Sequence, residues 1–149
     1  MAVRIINGSD NGGQFNVVAP LPEDSLIYNG LGGNDVFIVN AGVARTSIYG
    51  TNGAGDFADL QVDVIQLLGS AQLNSVIGID VLTFASPDPA TTLSYNANSL
   101  FGVSQVVGSA AGTDTIHFTS ASESVDLDLF KTTFVNWGCL LYTSPSPRD

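Results

Sequence analysis

The chain has 149 residues, 44% of them apolar and 12% charged, with a formal net charge of −10. That size and apolar content fit one domain, or one piece of a repeat array, with a buried core. The negative balance argues against nucleic acid and anionic membranes as partners and favours cations, and no run of about 20 apolar residues is present for membrane insertion.

Asp outnumbers Glu by 12 to 2, and Gly, Ser, Thr and Asn fill the other polar positions. Such a mix suits strands joined by tight turns and not helices. The N-terminal MAVRIINGSD lacks the apolar run of a signal peptide. The chain opens inside a repeat, so the expectation is that an export signal lies upstream.

The first copy is Ile6-Asn7-Gly8, a turn over Ser9–Gly12, then Gly13-Gln14-Phe15-Asn16-Val17. The second is the best formed: Tyr28-Asn29-Gly30, a turn over Leu31–Asn34, then Asp35-Val36-Phe37-Ile38-Val39. A third runs from Ile48-Tyr49-Gly50 through TNGAGDFA to Asp59-Leu60-Gln61-Val62. The fourth, Val76-Ile77-Gly78-Ile79 then Asp80-Val81-Leu82-Thr83-Phe84, has no glycine-rich turn. The fifth is Val106-Val107-Gly108, SAAGT, then Asp114-Thr115-Ile116-His117-Phe118.

The first apolar residues after the turns are Phe15, Phe37, Leu60, Leu82 and Ile116, at steps of 22, 23, 22 and 34. The long step contains SPDPATT, whose prolines predict an inserted loop near 85–100. Alternation along each exit strand turns Phe15, Val17, Phe37, Val39, Leu82, Phe84, Ile116 and Phe118 inward. Leu60–Leu68 starts in phase with Leu60, Val62 and Val64 and then loses it, as at a bulge.

One strand–turn–strand unit cannot bury its apolar face alone, whereas stacked copies bury a continuous core. The spacing predicts an all-β, right-handed parallel β-solenoid of about 22-residue coils, near 4–24, 25–46, 47–72, 73–102 and 103–138. Phe15, Phe37, Leu60, Leu82 and Ile116 would form one interior column, and Ile6, Tyr28, Ile48, Val76 and Val106 another. An antiparallel β-sandwich is the alternative.

The turn Gly30-Leu31-Gly32-Gly33-Asn34-Asp35-Val36-Phe37 resembles the RTX-type (haemolysin-type) calcium-binding repeat, G-G-x-G-x-D-x-U-x with U apolar. Gly53-Ala54-Gly55-Asp56-Phe57 and Gly108–Phe118 are looser matches. The nine-residue unit is stretched here to about 22, which resembles more closely the long degenerate repeats of large exported bacterial surface proteins. The resemblance implies an extracellular or cell-surface scaffold or adhesin. Its partners would be further coils of a longer chain and a surface polysaccharide or protein ligand. It also implies calcium held by carbonyls and carboxylates around Gly30, Gly32, Gly33, Asn34 and Asp35, then Gly53, Gly55, Asp56 and Asp59, then Asp114. Hard Ca²⁺ takes six to eight oxygens, and glycine lets carbonyls turn inward. The residues themselves equally support aspartate as a turn former without metal.

Catalysis is not expected. His117 is the only histidine and lies on an outward-facing position, and no HExxH or G-x-S-x-G motif occurs. Asp126 and Asp128 share one strand face beside inward Val125, Leu127 and Leu129. A polysaccharide-active β-helix, the enzymatic alternative, needs carboxylates together with Arg or Lys in a groove. Before the tail only Arg4, Arg45 and Lys131 are available.

The last eleven residues, CLLYTSPSPRD, hold the only Cys and change composition abruptly. Over their whole length they resemble the translation of a transposase adapter used to prepare sequencing libraries. Residues 139–149 are therefore expected to be non-native and disordered. The natural chain would then be cut near Gly138, leaving an exposed edge near Phe134 and Trp137.

Overall fold

The computed structural model describes residues 2–51, 61–88, 90–96, 103–110, 113–119, 132–137 and 142–143. The chain alternates between two sheets. One carries β1 (Val3–Asn7), β3 (Ser25–Asn29), β5 (Thr46–Tyr49), β7 (Ala71–Ile77), β9 (Thr92–Asn96), β11 (Thr115–Thr119) and β13 (Tyr142–Thr143). The other carries β2 (Gln14–Val17), β4 (Val36–Val39), β6 (Val64–Leu67), β8 (Val81–Phe84), β10 (Gln105–Val107) and β12 (Thr133–Val135). Every strand pair is parallel and joins one coil to the next. The architecture is that of a parallel β-solenoid with two strands per coil, as the repeat predicts.

Alternation sets the inner face. Phe37, Val39, Ile65 and Leu67 are fully buried, while Val36, Ile38 and Gln66 between them are not. In the β2–β12 sheet the interior column runs Phe15, Phe37, Ile65, Leu82, Val106, Phe134. Phe15 stacks on Phe37 with ring centroids 4.8 Å apart and planes within 10°. In the facing sheet Ile6, Tyr28, Ile48 and Val76 align as expected.

Three expectations need correction. The third member of the column is Ile65, not Leu60. Val62 is half-exposed, Val64 points outward, and the strand begins at Val64 in the opposite phase. Gln66 decides this phase, because a polar side chain between two apolar ones faces out. Second, the interval read as an insertion contains β9, whose residues pair with β7 and β11. Third, that additional strand exchanges the ends of the two columns. Val106 belongs with Leu82, and Ile116 stacks on Leu93 in the other sheet.

Among the described residues β7 is the longest strand, and it shifts register between Thr46 and Ser47 of its neighbour, leaving Asn74 as an extra residue. Its second half pairs with β5 and its first half with β9. At the far end Tyr142 and Thr143, inside the tail expected to be disordered, pair with His117 and Phe118. An unpaired parallel edge presents a row of N–H and C=O groups that accepts an extended segment largely regardless of its sequence. The strand expected at Val125–Leu129 lies outside the described residues.

Candidate functional site: an aspartate column at the turn edge

The residue just before each strand of the β2–β12 sheet forms a second column: Gly13, Asp35, Asp63, Asp80, Ser104, Thr132. Backbone bonds run through it. Val36 N–H donates to Gly13 C=O, Val64 N–H to Asp35 C=O, and Val81 N–H to Asp63 C=O. Each position is therefore the last rung of the sheet ladder, where a backbone N–H needs an acceptor from outside the strands.

The aspartates supply that acceptor from one coil to the next. Asp35 N–H donates to Asp63 Oδ1 at 2.8 Å, and Asp63 N–H donates to Asp80 Oδ2 at 2.9 Å. Asp35 and Asp63 are fully buried. A hydrogen bond to an ionised acceptor is about twice as strong as a neutral one. Beyond Asp80 the bonds change direction. Ser104 Oγ donates to Asp80 C=O at 3.0 Å and Thr132 Oγ1 to Val103 C=O at 2.9 Å. The same carboxylate device appears on the opposite edge, where Ala2 N–H donates to Asp24 Oδ1 at 3.1 Å.

Glycine makes room for these carboxylates. A Cβ on Gly30 would collide with the Asp35 carboxylate and come within 2.7 Å of Gly50 C=O. Gly50 stands in the same relation to Asp63 and Gly78 C=O. One strip of the turn edge thus brings together two buried carboxylates and the carbonyls of Gly50 and Gly78.

The other predicted ligands distribute differently. Gly33 has φ +86° and packs against the Gly12 backbone, Gly32 C=O accepts from Gly12 N–H at 2.9 Å, and exposed Asn34 accepts from Val62 N–H through Oδ1 at 3.0 Å. These three secure the turn to its neighbours. Asp114 is buried on the opposite edge. It closes its own turn by accepting from Ser109 N–H at 2.6 Å and Ser109 Oγ at 3.2 Å. The structure therefore does not bring Asp114 to Asp35. Gly53, Gly55, Asp56 and Asp59 lie outside the described residues. Among the described residues no three His, Cys, Asp or Glu side chains converge to hold one metal ion.

Asp63 is the site residue missed from sequence. Asp63-Val64-Ile65-Gln66-Leu67 matches Asp35-Val36-Phe37-Ile38-Val39 position for position. The signal was present but lay behind the earlier Asp59-Leu60-Gln61-Val62. Comparison with known proteins returns no match to this chain from any family model, curated protein or solved structure.

Proposed function

We propose that this chain is part of a scaffold or adhesin-like solenoid of an exported bacterial surface protein, in which buried aspartates clamp successive coils. The Asp35–Asp63–Asp80 column carries this reading, because its carboxylates act on the backbone of the neighbouring coil. No catalytic role belongs to it. The cell-surface location rests on the likeness of the glycine–aspartate turns to repeats of exported proteins.

Calcium is the second reading. The strip that gathers Asp35, Asp63 and the Gly50 and Gly78 carbonyls favours it, because hard oxygen donors and like charges on adjacent coils suit a divalent cation. Thermal melting followed by circular dichroism separates the two. With a metal-free clamp, the melting temperature is equal in millimolar Ca²⁺, in Mg²⁺ and in EDTA. With a calcium site filled to about 100 times its Kd, Ca²⁺ adds about 2.7 kcal/mol. That corresponds to roughly 5–10 °C at this chain length, and Mg²⁺ does not reproduce it. Loss of the β spectrum at ordinary temperature in both EDTA and Ca²⁺ would overturn the scaffold itself.

A further inference from the structure

Four Asn–Gly pairs occur in the chain, at Asn7-Gly8, Asn11-Gly12, Asn29-Gly30 and Asn52-Gly53, the last outside the described residues. In such a pair the glycine nitrogen can attack the asparagine Cγ. The new C–N bond closes a succinimide and ammonia leaves; water then opens the ring to aspartate or isoaspartate. Glycine permits this more readily than other residues, because it has no Cβ and leaves the backbone free to rotate. The fold calls for both members of Asn29-Gly30. A Cβ on Gly30 would collide with the Asp35 carboxylate, and Asn29 Nδ2 donates to Asn7 Oδ1 of the preceding coil at 2.8 Å. Stacking also restrains the reacting atoms. Asn29 is the last residue of extended β3, and Gly30 N–H donates to Tyr49 C=O at 2.8 Å. On the other side Asn29 C=O accepts from Gly8 N–H at 2.8 Å.

We propose that Asn29 is a deamidation site guarded by coil stacking, so that an opening of the second coil is converted into a permanent change. Ring closure needs the Gly30 nitrogen released from Tyr49 and the end of β3 bent, and both require that coil to open. The product does not fit back. Asn29 Oδ1 is shielded from solvent and accepts no hydrogen bond among the described residues. A carboxylate there places a charge without a donor one residue from Gly30, against which the Asp35 carboxylate packs. Isoaspartate adds a methylene to the main chain between the two bonds that tie the second coil to the first and third. Asn7 differs. It is exposed and its Oδ1 is already the acceptor, so an aspartate there keeps the bond from Asn29.

Site-resolved mass spectrometry of the full chain, aged at mildly alkaline pH with and without denaturing urea, tests this. Conversion at Asn29 should run at least about 100-fold slower in the native chain than in the unfolded one, as for a site that reacts only from an open state. Isoaspartate should accumulate at Asn29 in the unfolded chain. Asn29→Asp supplies one product directly and should lower the melting temperature by roughly 4 °C or more. Asn7→Asp should leave it within about 2 °C. Equal rates at Asn29 in the native and unfolded chains would overturn the proposal. So would an Asn29→Asp protein that melts like the parent, or no lower than Asn7→Asp.

Discussion

Replacing Asp63 by alanine is the sharpest probe of the aspartate column. The substitution removes the acceptor for Asp35 N–H, a bond of 2.8 Å to a fully buried carboxylate. Hydrogen bonds to charged groups contribute about 1.5–3 kcal/mol, and an orphaned buried donor costs a similar amount. Against this stands relief of burying two carboxylates, Asp35 and Asp63, on adjacent coils. A net loss of about 2 kcal/mol follows if the acceptor outweighs the charge, which for this length is a fall of roughly 4–8 °C in melting temperature. Asp63→Asn separates the two effects, because it keeps an oxygen acceptor and the side-chain volume while removing the charge. It is expected to cost less than half as much as Asp63→Ala. Urea titration and thermal melting of the three proteins give the comparison. If Asp63→Ala matches the parent, or if Asn is as damaging as Ala, the carboxylate is not acting as a backbone acceptor.

Two further substitutions test the packing around that column. Gly30→Ala should destabilise by about 1–3 kcal/mol through overpacking against the Asp35 carboxylate, read as a lower urea midpoint at unchanged slope; an unchanged midpoint would show the carboxylate free to move. Phe37→Ala, at a fully buried position, should cost about 3–5 kcal/mol. Phe15→Ala, at the half-buried end of the same column, should cost about half of that, and equal losses would contradict the open first coil.

The repeat made the architecture legible, because the alternation in Phe15-Asn16-Val17 and Phe37-Ile38-Val39 fixes both strand and face. What the repeat does not encode is the edge. Gly30–Asp35 leads from the β1–β13 sheet to the other, and Gly108–Asp114 leads back, with one and the same motif. Counting motifs as coils therefore merged two half-coils and turned β9 into an insertion. The aspartate column was half legible for a related reason. Asp35 and Asp80 were visible as turn residues. Their joint role depends on Asp63, and only pairing of Val36 with Val64 places it between them. The clamp is a contact between coils, which sequence-local reasoning cannot register.

Between β5 and β8 the solenoid changes circumference as a crystal does at an edge dislocation. In the β2–β12 sheet, Phe37 to Ile65 spans 28 residues and Ile65 to Leu82 only 17, yet the β4–β6 and β6–β8 ladders both keep four aligned pairs. The eleven-residue difference lies in the connections, 14 residues between β5 and β6 against three between β7 and β8. β7 adds a one-residue offset, and only its Leu73 aligns with both neighbours. A long circumference and a short one thus coexist without a tear in either ladder. Unequal connections of this kind let a coil gain or lose residues while the ladders on either side stay in phase. Insertions and deletions between β5 and β6 are then the changes this array accommodates most readily, and drift in repeat length is tolerated because the turns, not the strands, carry the difference.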